Sequence, residues 1–64
     1  MKTIQIEIRQ QNETCNLHNV YVGYDNKSLQ LHTMALSLDE SKLLALDIII
    51  ANNDCKPEIL IDTF

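Results

Sequence analysis

Apolar and polar residues alternate over the first half of this chain, shift to a helical spacing after it and end in a short apolar run. Ile4, Ile6 and Ile8 stand between Gln5, Glu7 and Arg9, the period-two pattern of a strand with one buried face. The spacing predicts a first strand from about Lys2 to Gln10. Gln11 to Asn16 then breaks the pattern with polar, turn-tolerant residues and reads as a loop. Val20, Val22 and Tyr24 alternate before Asp25-Asn26-Lys27-Ser28, and Leu29, Leu31 and Thr33 alternate after it, which predicts a hairpin. With Asn26-Lys27 as a two-residue turn, or Asp25 to Ser28 as a longer loop, Tyr24 pairs with Leu29, Val22 with Leu31 and Val20 with Thr33. All of these then share one face. The other face carries Asn19, Tyr21, Gly23, Gln30, His32 and Met34, with Tyr21 beside His32.

Ser37-Leu38-Asp39-Glu40 has the form of a capping box, in which the serine hydroxyl and the glutamate carboxylate each satisfy the other's backbone N–H. Asp39 and Glu40 suit the positive first turn of a helix, and Pro57 limits its extension. A helix over about Leu38 to Asn52 follows, despite the β-prone run Ile48-Ile49-Ile50. Glu58 to Phe64 is again apolar and partly β-branched and predicts a fourth strand. The order β-β-β-α-β defines an α+β fold with residues 1–64 as one domain. Its four-stranded, mostly antiparallel sheet has spatial order 3-2-1-4, with the crossover helix packed on one face.

The stretch Leu43 to Ala51 carries more apolar surface than one sheet can cover. On a helix Leu43, Leu46 and Ile50 form one stripe, and Leu44, Ile48 and Ala51 form another about a third of a turn away. Leu43, Leu46 and Ile50 are expected against the sheet, although helical spacing alone leaves the two assignments interchangeable. The second stripe is expected to meet another chain, together with Tyr21, His32 and Met34 on the outer sheet face.

Composition adds a reason to expect a partner. A chain of 64 residues buries only about 60% of its unfolded surface, and domains of this size commonly add a disulfide, a metal or a second subunit. A hydrophobic content of 45% with 22% charged residues separates it from a disordered tail. Nine acidic residues against five basic ones give a net charge of −4, and the lysines and arginine do not cluster, so nucleic acid is not an expected ligand. The N-terminus alternates and carries charge, unlike an export signal, and the longest uncharged apolar run is far shorter than the ~20 residues of a membrane span. A cytoplasmic protein without membrane contact is the expectation.

Cys15 and His18 have the two-residue spacing of half a zinc site, and His32 with Cys55 would complete a set of two sulfurs and two nitrogens. Structural zinc sites, however, present a second closely spaced ligand pair, and His32 and Cys55 are far apart. On the hairpin reading His18 and His32 both point away from the helix. A Cys15–Cys55 bridge would join the first loop to the segment after the helix, but a reducing compartment keeps such thiols free. Ser28, Ser37 and Ser41 lack a nucleophile-elbow context, and the one glycine, Gly23, marks a bulge or a close backbone approach rather than a phosphate loop. No cofactor is expected. The sequence favours a non-enzymatic, small acidic binding or regulatory protein that acts through protein–protein contacts as a homodimer. An inhibitor encoded by a mobile element would have this character. The alternative is a small metal-binding or catalytic protein built on Cys15, His18, His32 and Cys55.

Overall fold

A computed structural model describes residues 2–64. Its elements are β1 (Lys2–Gln10), β2 (His18–Tyr24), β3 (Gln30–Ala35), α1 (Leu38–Ala51) and β4 (Cys55–Asp62). They form one mixed sheet in the order β3-β2-β1-β4, with β1–β2 and β2–β3 antiparallel and β4 parallel to β1. The expected α+β architecture and strand order are therefore present.

β1 is the centre of the sheet. Its alternation places Ile4, Ile6 and Ile8 on the helix side, where they are fully buried with Val20, Ala45 and Ile48. The opposite pleat of β1 carries Gln5, Glu7 and Arg9. β4 begins earlier than expected, at Cys55, because an edge strand accommodates Pro57 without losing an interior ladder bond.

The hairpin departs from the expected register. Asp25 and Asn26 both have positive φ, 52° and 63°, and the Lys27 N–H donates to the Tyr24 carbonyl at 3.0 Å. These are features of a type I′ turn centred on Asp25-Asn26, one residue earlier than Asn26-Lys27. Val20 does face Thr33, but the ladder shifts between Val20 and Tyr21, so that Tyr21 faces Leu31 and Val22 faces Gln30. His32 is the inserted residue. Tyr21 and His32 are therefore not directly paired, and the shift reverses the pleat so that Leu31 moves to the outer face with Tyr21. The turn is anchored to β1: the Thr3 N–H donates to Asp25 Oδ1 at 3.0 Å and the Asn26 N–H to Gln5 Oε1 at 3.1 Å. Gly23 marks a close approach, since a Cβ there would lie 2.9 Å from the Leu29 side chain and 3.0 Å from the Lys27 carbonyl oxygen.

Helix α1 starts where the capping sequence places it. Ser37 has extended backbone, and its hydroxyl accepts the Glu40 N–H at 3.1 Å. The helical phase differs from the expected one, although Ala51 of the outward stripe is exposed as expected. Ser41, Ala45 and Ile48 are the buried positions, with Leu38 and Leu44 half-buried, while Leu43, Leu46 and Ile50 are 65%, 51% and 62% exposed. Ile48 thus belongs to the core and not to an outward stripe. The cause is shape: Ser41 and Ala45 are small, so this face approaches the sheet closely, and the Ser41 hydroxyl is satisfied within the helix by donating to the Leu38 carbonyl at 2.7 Å.

Candidate functional site

The helix packs across β1, β2 and β3 rather than β4. A helix about 10–12 Å wide spans only two to three strands spaced about 4.8 Å apart, so one helix cannot roof this sheet. The uncovered part is the β4 side. There Ile59 and Ile61, paired with Ile6 and Ile8 and hence on the helix face, form with Ile8 the floor of a groove. Its wall is Lys42, Ala45, Leu46 and Ile49 of α1. The groove measures about 280 Å³ and only Lys42 in its lining carries a charge. Leu60, on the reverse face of β4, is also exposed, so three consecutive large apolar residues lie open on this strand.

The outer sheet face is more polar. Glu7 is buried there by a bidentate pairing with Arg9, whose Nε and Nη2 donate to the two carboxylate oxygens, the second at 3.1 Å. The Arg9 guanidinium also lies over the Tyr21 ring, 4.7 Å from its centroid. The hydrogen bond from Arg9 to Glu7, opposed by partial desolvation, holds the Arg9 pKa above its ordinary value. Tyr21 is thereby half-covered. Met34, on the same face, remains exposed and accepts a contact from Gln11 Nε2 at 3.5 Å. A shallow depression of about 250 Å³ beside Gln5, Glu7, Leu29, Glu58 and Leu60 completes this face. A larger depression of about 350 Å³ lies along the hairpin, lined by Val22, Tyr24, Lys27, Gln30, Leu31 and His32.

The four residues considered as metal ligands are not brought together. His18 is buried on the helix face of β2, opposite Gln10, with its Nδ1 donating to the Asn16 carbonyl at 2.5 Å. It does not share the outer face, because its position has the parity of Val20 and Val22. Cys15 is at the same end of the sheet, its carbonyl accepting from Gln10 Nε2 at 3.0 Å. Cys55 faces Lys2 at the other end of β1, about 26 Å away at 3.3 Å per residue. A Cys15–Cys55 disulfide would need Cα atoms about 5.5 Å apart, and both thiols are free. Among the described residues no three His, Cys, Asp or Glu side chains converge as a metal site would require. Burial, reinforced by the negative charge of Asp54 and a hydrogen bond to it, pushes the Cys55 thiol pKa up, which disfavours the nucleophilic thiolate.

Among the described residues no helix is long and apolar enough to cross a membrane. No protein-family model matches the chain, and neither a curated protein nor a solved structure matches it. The apolar groove between α1 and β4, with the exposed helix stripe beside it, is the candidate site that the geometry offers. Hydrophobicity alone did not predict its location, because the residues that face inward, Ser41 and Ala45, are the smaller ones.

Proposed function

We propose that this protein is a small acidic binding module that acts through protein–protein contacts, with a second copy of itself as its first partner. The observation that carries the reading is the exposed apolar surface on one side of the molecule, where Leu43, Leu46, Ile50, Ile59 and Ile61 are all open. Exposed apolar groups are ordinary when scattered, but a groove whose lining is apolar except for Lys42, with Leu46, Ile59 and Ile61 open to solvent, has the usual character of an association surface. The rest of the charge distribution fits a protein ligand: four of the five basic residues are dispersed lysines, and Arg9 is engaged by Glu7. A regulator or inhibitor that docks on a larger protein would use the same surface.

Light scattering on purified protein tests this. The expected mass exceeds that of one chain and falls to one chain in a Leu46→Glu/Ile59→Glu variant whose far-UV circular dichroism is unchanged. A single-chain mass at every concentration overturns the reading.

A further inference from the structure

The two edges of the sheet are built differently. β3 is six residues long and bulged at His32, the form that discourages pairing with another strand. β4 is eight residues long and keeps an unbroken register with β1 from Cys55 opposite Lys2 to Asp62 opposite Arg9. Every residue from Lys56 to Asp62 is exposed. Proline is accommodated on an edge strand with its nitrogen toward the open side. Backbone polar groups alternate sides along a strand, so Ile59 and Ile61 present their N–H and C=O groups on the same open side as Pro57.

We infer that β4 is the seam of a homodimer, pairing antiparallel with β4 of a second copy about a two-fold axis through Ile59 and joining two sheets into one of eight strands. This rests on the self-association proposed above and specifies its surface. A two-fold axis normal to a sheet keeps each residue on its own face, so odd positions pair only with odd ones and even with even. Charge then discriminates among the registers. Centred on Ile59, the seam sets Lys56 opposite Asp62 of the second copy, and does so twice by symmetry. Pro57 then faces Ile61, and Ile59 faces its own copy at the axis. Centred on Glu58, the seam sets Glu58 against itself and Asp54 against Asp62; centred on Leu60, it sets Glu58 against Asp62. Like charges directly opposite are destabilising and opposite charges favourable, so charge selects the Ile59 register over its two neighbours; a Pro57-centred seam also sets Lys56 opposite Glu58, but it shortens the overlap to residues 55–59 and places the donorless Pro57 at the axis. In that register the two Ile59 residues exchange both of their backbone bonds, and each Ile61 N–H donates to a Pro57 carbonyl. Four bonds cross the seam, and only the two that Pro57 would donate are lost.

Charge reversal provides the test. Lys56→Glu, Asp62→Lys and the double variant are compared with wild type by sedimentation equilibrium over a concentration series, with far-UV circular dichroism as the check on folding. Asp62 lies opposite Arg9 on β1, so Lys56→Glu and the double variant carry the comparison. Lys56→Glu replaces two attractive pairs by two repulsive ones and is expected to weaken the dimer about tenfold, with the double variant within about threefold of wild type. Dimers of wild-type strength in all variants, or a weakened dimer that the double swap does not restore, overturn the β4 seam and leave the broader association reading standing. A monomeric wild type overturns both.

Discussion

Ile48→Ala is the perturbation that most sharply separates the observed helix phase from its opposite. Ile48 is 9% exposed and lies in the cluster of Ile4, Ile6, Ile8 and Val20. Truncation removes three carbons, or about 2.4 kcal/mol at ~0.8 kcal/mol per buried methylene, and the residual cavity brings the expected cost to about 3 kcal/mol. Leu43→Ala also removes three carbons, but from a residue 65% exposed, so roughly a third of the transfer term applies and the expected cost is about 0.8 kcal/mol. Urea unfolding followed by far-UV circular dichroism measures the difference. With a slope of about 1 kcal/mol per molar urea for so small a domain, the two midpoints should lie about 2 M apart. Since domains of this size hold only about 3–5 kcal/mol, Ile48→Val, with an expected cost of about 1 kcal/mol, serves where the alanine variant does not fold. Measurements at two protein concentrations separate core from interface, because only an interface residue has a cost that depends on concentration. A Leu43→Ala cost equal to or above that of Ile48→Ala would refute the phase and, with it, the location of the apolar groove.

Three further outcomes follow from the same structure. Gly23→Ala should destabilise by about 1–3 kcal/mol in thermal or urea unfolding, because the added Cβ meets the fixed Lys27 carbonyl as well as the movable Leu29 side chain; a stabilised variant would disprove the close approach. Ser37→Ala should cost about 1 kcal/mol and Ser37→Asp little, since the cap accepts only from the Glu40 N–H. Alkylation of Cys55 in a Cys15→Ser background should be slower at pH 8 than that of an unstructured thiol, with its rate continuing to rise above the ordinary thiol pKa. The sign follows from the raised pKa: the protonated form is favoured in the folded chain, so the associated stability is present at neutral pH and lost as pH rises through the folded-state value. A rate equal to that of the unstructured thiol would contradict the burial assigned to Cys55.

Much of the fold is legible in local patterns where one physical rule dominates. The alternation of Ile4, Ile6 and Ile8 identifies a half-buried strand, and Ser37 fixes the helix start because few other residues satisfy its free N–H groups. Strand order follows from connection rules once the elements are known. The features that escape a sequence reading depend on three-dimensional fit. The hairpin register turns on positive φ at Asp25 and Asn26 and on the extra residue His32, neither of which alters the apparent alternation. The helix phase depends on close approach, and a small polar residue such as Ser41 is invisible to a search for apolar stripes even though Leu38, Ser41, Ala45 and Ile48 have regular helical spacing. The start of β4 is hidden by Pro57, which breaks a central strand but not an edge. Cys15 and Cys55 resemble a pair only until the parallel pairing of β1 and β4 places them at opposite ends of the sheet.

The apolar side of the molecule is therefore defined by what the helix leaves uncovered rather than by which residues of the helix are most hydrophobic. Sedimentation equilibrium of the unmodified protein over a wide concentration range tests its role most directly. A reversible rise to twice the chain mass is expected. A mass of one chain throughout would contradict it.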